Sequence, residues 1–243
     1  LYDKIRQVNA REGDRVEDFM RPPPRGGKDD GVAAYLRGAI LDGRLAPGQR
    51  LVEADLTPLL GVGRGVLREA FRRLVAEGMI ELSPNRGAQV RRLGRTEALD
   101  LLEIRAELEA FAARRAAARM ADPSLRDVFA ATAAAIAEGE AAGGDYTAEN
   151  RAFHAGLVTA AGNAQLVATH RSLQLSLILA QVRFALRPAD IAASRAEHRA
   201  IAVAVLAGDA RAAEAAVRAH LDRAAEIVRR VPADAFRPDA DPR

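Results

Sequence analysis

Residues 60–82, "LGVGRGVLREAFRRLVAEGMIEL", place Arg64, Arg68 and Arg72 four residues apart, with Leu67, Ala70, Phe71 and Leu74 between them. Four-residue spacing repeats on one face of a helix, so the segment predicts a helix of about 14 residues with a cationic face and an apolar face. "GVG" (61–63) in front of it is a tight turn. Upstream, "EADLTPLL" (53–60) reads as a short helix with Pro58 in its first turn. "LAPGQRL" (45–51) reads as a Pro-Gly turn, and "VAAYLRGAILDG" (from 32) as a helix carrying Leu36, Ile40 and Leu41. Downstream the period changes to two. Ile80 and Leu82 form one strand, "SPNRG" (83–87) a turn, and Gln89–Arg91 a returning strand.

Two helices, a tight turn and a third helix that exposes arginines form the layout of a helix-turn-helix, with the hairpin as a wing and Arg86 at its tip. The apolar face packs inward, and the arginines are free to enter a major groove, where each can hold guanine O6 and N7 with two hydrogen bonds. On spacing alone a solvated charged face is the favoured reading, because charged helix faces are common. The turn, the hairpin and the charge distribution favour DNA: residues 1–93 hold 17 Lys+Arg against 13 Asp+Glu, and residues 94–243 hold 19 against 20. Arginine itself carries no weight here, because 34 of 36 cations are arginine throughout the chain.

Residues 1–30 read as an extension, since "RPPPRGGKDD" (21–30) cannot continue a helix. After Gly94 the pattern is helical, with spans expected at 96–121, 123–142, 145–161, 163–186, 189–207 and 209–230. The breaks fall at Asp122-Pro123, Gly162-Asn163, Arg187-Pro188 and Gly208-Asp209. The fold class is mainly α: a winged helix-turn-helix at 31–93 with a small β-hairpin, an all-α six-helix bundle at 94–231, and a tail at 232–243. Aromatics at 4% and abundant alanine agree with close-packed helices rather than sheets. Without cysteine there is no disulfide, thiolate metal site or thiol nucleophile. No apolar run reaches the ~20 residues of a membrane span, and the charged first residues lack the apolar stretch of a signal peptide. The expected location is the cytoplasm.

The histidines are His154, His170, His198 and His220. If 189–207 and 209–230 form an antiparallel hairpin, His198 and His220 stand at nearly equal distances from its turn, and helical rise brings them level. Asn150 and His154 share a face of the 145–161 helix. Three imidazoles and an oxygen make a divalent-metal site, and on spacing alone three ordinary core histidines are an equal alternative.

The stretch from Ala39 to Val90 resembles the winged helix-turn-helix of GntR-family bacterial transcription regulators. "EIRAELEAFAARRAA", "ENRAFHAGLVTAAGN" and "AEHRAIAVAVLAGDARAAEAAVRAHL" resemble the all-helical FCD effector domain of its FadR subfamily, over about residues 97–229. The resemblance implies DNA recognition by Arg64 and Arg68, phosphate contacts from Arg72, and wing contacts from Arg86 and Gly87. Gly63 and Gly65 stand at DNA-facing positions where the family usually has Ser or Thr, and Ala54 stands where it has a base-reading arginine. The resemblance also implies a metal held by His154, His198 and His220, with Asn150 in place of a frequent Asp. Zn²⁺ is the first expectation, with Ni²⁺ or Mn²⁺ as alternatives. Arg105 is the implied clamp for a small organic acid effector, its spacing alone also fitting an i, i+4 ion pair with Glu109, and His170 has no place in the pattern. The function implied is a ligand-responsive repressor that binds double-stranded operator DNA as a homodimer. The rival readings are a sensor whose signal is the ion itself and a metallohydrolase. The hydrolase is disfavoured because only Glu149 and Glu197 offer themselves as a base.

Overall fold

The computed structural model describes residues 29–83, 87–141, 145–173 and 176–238. Its elements, in order, are α1 (Asp29–Leu41), β1 (Arg50–Leu51), α2 (Glu53–Leu60), α3 (Arg64–Ala76), β2 (Ile80–Ser83) and β3 (Gly87–Val90). Helices follow: α4 (Arg95–Ala118), α5 (Pro123–Ala141), α6 (Tyr146–Ala160), α7 (Ala164–Ser172), α8 (Ser176–Val182), α9 (Pro188–Leu206) and α10 (Ala210–Arg230). Short 3-10 turns lie at Arg183–Ala185 and Ala233–Ala235. The fold is mainly helical, as expected, with a small sheet beside the helix-turn-helix.

The described residues fall into two compact units. One comprises the chain up to Gly94 with Ser176–Gln181 and the segment from Pro232; the other comprises Arg95–Leu175 and Val182–Val231. In the first unit α1 packs on α3, and Leu36, Ile40, Leu67, Phe71 and Leu74 are buried together with Leu56 and Leu60 of α2. Burying a side chain the size of Phe71 contributes roughly 1.5–3 kcal/mol. Gly61 ends α2 in the left-handed conformation (φ 64°), which a residue with a Cβ adopts only at a cost. Pro58 stands inside α2 rather than in its first turn. Its missing N–H costs little in so short a helix, where Thr57 Oγ1 donates back to the Glu53 carbonyl at 2.9 Å.

The wing is a three-stranded antiparallel sheet, order β1-β3-β2, rather than a two-stranded hairpin. Gly48 (φ 78°) turns the chain so that its N–H reaches the Val90 carbonyl, and Val90 N–H reaches that of Gln49. That pairs Arg50 with Gln89 and Leu51 with Ala88, while Ile80 pairs with Val90. A two-residue strand has no period to read.

The segment expected as a tail from 232 is packed: Phe236 is buried, and Arg237 N–H donates to the Leu93 carbonyl at 3.0 Å. The expected helix 163–186 is two helices. Leu173 closes α7 as its C-cap, and α8 contributes Ser176–Gln181 to the first unit, where the Gln181 amide bonds both Leu93 N–H and C=O at 2.8 and 3.0 Å.

In the second unit α4 lies along α10, and α9 along α10, as the main helix pairs; α5 packs on α6 and α9. Small side chains make the approach close. Ala112, Ala113, Ala116 and Ala117 of α4 are buried, and a Cβ on Gly156 would stand 2.6 Å from Thr132 Cγ2. Asn163 and Asp209, at breaks the sequence indicates, each cap a helix by accepting a backbone N–H, and Asp145 does the same for α6. Arg115 of α4 and Arg119, one residue past its end, donate to the carbonyls of Ala161 and Ala160 at the end of α6, satisfying helix C-terminal acceptors.

Candidate functional site

In the first unit the structure places Arg64, Arg68 and Arg72 on the exposed face of α3, opposite Leu67, Ala70, Phe71 and Leu74. Arg68 Nε donates to both oxygens of Glu53 on α2 at 3.1 Å. Glu69 bonds Arg72 Nη2 at 2.9 Å. Gly63 is the N-cap of α3 with an extended backbone and no side-chain bond to the helix. A Cβ on Gly63 or Gly65 would meet nothing within 4 Å, so both leave bare backbone at the helix start. Unsatisfied N–H groups at a helix start attract anions. Gly87 opens β3 with φ 74°, and Arg86 lies outside the described residues.

The second unit gathers three histidines. His154 comes from α6, His198 from α9 and His220 from α10; all are buried, and their ligand atoms lie within 4.8 Å of one another. Ring centroids stand 5.0 Å (154–198), 5.2 Å (154–220) and 4.7 Å (198–220) apart. The α9–α10 hairpin levels two of the rings, and one turn of α6 puts buried Asn150 beside the third. Asn150 Oδ1 lies 3.4 Å from Tyr146 Oη, a long contact, while Tyr146 Oη is 2.7 Å from Ser194 Oγ.

Two carboxylates back the rings. Glu109, fully buried on α4, meets His154 Nδ1 at 2.6 Å, His170 Nε2 at 2.8 Å and Arg105 Nε at 2.7 Å. Glu197 meets His220 Nδ1 at 2.7 Å and is held by Arg223. Burial pushes His154 down to about 3, and the nearby Arg105 charge adds to it; the Glu109 carboxylate opposes both. Burial also pushes His198 and His220 down; the other two rings add to the fall at His198, and the Glu197 carboxylate opposes it at His220. Burial alone would raise the Glu109 carboxyl, but Arg105 and His154 outweigh it and hold Glu109 well below the carboxylate range. The cluster is therefore three neutral imidazoles at neutral pH. The Nε2 atoms of His154 and His198 are buried without a hydrogen-bond partner. Buried polar nitrogens are rarely left so, and two neutral lone-pair donors facing one another within this span fit a divalent cation.

The sequence matches the family model for "Bacterial regulatory proteins, gntR family" over residues 28–90 and that for the FCD domain over residues 100–223. The chain belongs to the GntR family. Its GntR relatives include an HTH-type transcriptional regulator of Mycobacterium tuberculosis, 32% identical over 85% of this chain and 91% of that one. They also include the Nta operon transcriptional regulator of Aminobacter aminovorans, 32% identical over 75% of this chain and 88% of that one. The repressor GlaR of Escherichia coli K12 is 30% identical over 77% of this chain and 89% of that one. A GntR regulator structure from Rhodococcus sp. RHA1 superposes with a TM-score of 0.71 at 25% identity, covering 84% of this chain and 99% of that one. The chain is thus a GntR transcriptional regulator with an FCD domain, and its relatives are regulators rather than enzymes. Among the described residues no helix is long and apolar enough to cross a membrane.

The structure also shows what residue patterns missed. Glu109 carries no signal at a distance, since its imidazole partners lie 45 and 61 residues away. His170, without a place in the sequence pattern, is one of them. The two carboxylates weighed as hydrolytic bases are both tied up: Glu149 is held by Arg195 Nε and Nη2 at 3.0 Å each, and Glu197 by His220 and Arg223.

Proposed function

We propose that this GntR regulator is a repressor that binds operator DNA as a homodimer in the cytoplasm, and that a small organic acid releases it through a metal-assisted site in residues 94–231. The observation that carries the second half is the pair of buried, partnerless Nε2 atoms of His154 and His198 beside His220. His154, His198 and His220 would hold the ion, with the Asn150 amide oxygen as a fourth donor. Zn²⁺ suits such a set best, with Ni²⁺ and Mn²⁺ as alternatives. When bound, the ion supplies an uncompensated positive charge for an anion, because none of the four donors is anionic.

Arg105 supplies the second anchor. Glu109 occupies its Nε, and among the described residues its Nη1 and Nη2 make no hydrogen bond. A carboxylate taken by that fork gains two parallel bonds. On DNA, Arg64 and Arg68 read base edges from residues 31–93, Arg72 and the bare N–H groups at Gly63 and Gly65 meet phosphates, and Arg86 with Gly87 reaches from the wing. One such module offers few contacts, so two half-sites read by a dimer follow. Some relatives are named as repressors, GlaR among them, which supports that sense of regulation.

Elemental analysis of the purified protein tests the metal centre. One divalent ion per chain in the parent and none in His198→Ala is the expected result. A parent that stays metal-free after incubation with Zn²⁺, Ni²⁺ and Mn²⁺ contradicts it. The ion alone could also be the signal; release of DNA on adding Zn²⁺ without any acid distinguishes that sensor.

A further inference from the structure

Two chains of the same composition converge on the histidine cluster. One runs Arg105–Glu109–His154, the other Arg223–Glu197–His220. In each, a guanidinium holds a carboxylate, and the carboxylate faces the Nδ1 of a cluster histidine. His198 has no carboxylate partner of this kind among the described residues. An ionised carboxylate only accepts hydrogen bonds, so the nitrogen facing it must carry the hydrogen. That leaves Nε2 of the same ring as the lone-pair atom.

We propose that Glu109 and Glu197 are positioning residues that fix the donor set of this cluster, each locking its histidine as the Nδ1–H tautomer with the Nε2 lone pair turned to the other rings. Glu109 does a second task with its other oxygen: it holds Arg105 by Nε, so the terminal fork of Arg105 is presented to an anion. One carboxylate thereby sets both the basicity of a metal ligand and the aim of the anion clamp. The two carboxylates are not equivalent. Glu109 is shut away from solvent and ties in His170 of α7 as well, whereas the Glu197 side chain is 29% exposed. Orienting partners of this kind are worth about 10–100-fold in metal affinity, and the buried one should lie at the upper end.

The proposal rests on the metal reading above, but its first test does not. Histidine-labelled, metal-free full-length protein at pH 7.5 gives the tautomer of each ring from its nitrogen shifts. His154 and His220 should both be Nδ1–H in the parent. Glu109→Gln should relax His154 and leave His220 unchanged, and Glu197→Gln should do the reverse. Zn²⁺ affinity by chelator competition should then fall about 10–100-fold in each variant, more for Glu109→Gln. Nε2–H tautomers in the parent, or tautomers and Zn²⁺ affinity indifferent to both substitutions, overturn the proposal. Because Glu109→Gln strands a buried guanidinium and could fail to fold, the parent spectrum and Glu197→Gln, at a partly exposed position, decide the matter alone. Parent tautomers as expected in a protein that binds no Zn²⁺ would sink the metal reading and keep the positioning role.

Discussion

Two Arg–Glu pairs show how differently the two units use the same chemistry. Arg68 and Glu53 meet at 3.1 Å with 64% and 33% of their side chains exposed; Arg105 and Glu109 meet at 2.7 Å with 10% and 0% exposed. In water the first pair contributes little, because solvent and salt screen it and two long side chains lose freedom to make it. It can open at small cost, which the proposed contact of Arg68 with a guanine requires. The second pair sits where an unpaired charge is expensive, so neither partner can leave without a replacement. The surface pair suits a reader that must exchange partners; the buried pair suits a site that must hold its shape until an anion arrives.

Breaking each pair should expose that contrast. Glu109→Ala strands Arg105 and removes the partner of His154, and should cost about 3–5 kcal/mol of stability. Glu53→Ala should leave the denaturation midpoint in urea where it was. Equal effects from the two substitutions would erase the distinction. Next in size is DNA binding. Arg64→Ala and Arg68→Ala should each weaken binding by roughly 5- to 150-fold if each makes a bidentate base contact, with circular dichroism unchanged. Duplexes that the parent selects from a random-sequence library serve as the probe, and undiminished affinity removes either arginine from the recognition face.

Acid should separate the units again. His154 stands at about 3 in the folded chain against 6.5 as its ordinary value. Above 6.5 neither the folded nor the unfolded state takes up a proton there. As pH falls from 6.5 toward 3, the unfolded state binds protons that the folded cluster refuses, so stability falls, by at most about 1.4 kcal/mol per pH unit for one such ring. Melting of the metal-free protein at pH 7.5 and 5 measures this, and replacing all three cluster histidines by glutamine should flatten the slope. The smallest expected effect is at Gly63. With open space around its Cβ and an extended backbone at the N-cap, Gly63→Ser should stabilise by a few tenths of a kcal/mol. A loss of stability there would mean that the N-cap geometry is not as described.

Legibility differed between the units for physical reasons. Helical periodicity and caps placed α3, α9 and α10, and the constant helical rise predicted that His198 and His220 meet across their hairpin. Those are local regularities. The backing of the cluster is not local: Glu109 reads as an ordinary i, i+4 partner of Arg105, and only packing of α4 against α6 and α7 delivers His154 and His170 to it. The same limit hid β1, two residues long, and the break at Leu173. Leu173, Leu177 and Ile178 continue an apolar run that looks unbroken, although Ser176–Gln181 belongs with the first unit. The exposed arginines were visible in number but not in state, since nothing local to Arg68 announces Glu53, 15 residues away.

Filled by a metal ion, the buried histidine cluster would make DNA release depend on a small acid. A ligand moves that equilibrium only by binding the DNA-free state more tightly. The direct measurement titrates a panel of small mono- and dicarboxylic acids against the protein–DNA complex, using Zn²⁺-loaded parent, chelator-treated parent and Arg105→Ala. At least one acid should release DNA from the loaded parent, with no release from the chelated protein or from Arg105→Ala. An acid that releases DNA equally well from the chelated protein would contradict the account and leave His154, His198 and His220 as core residues.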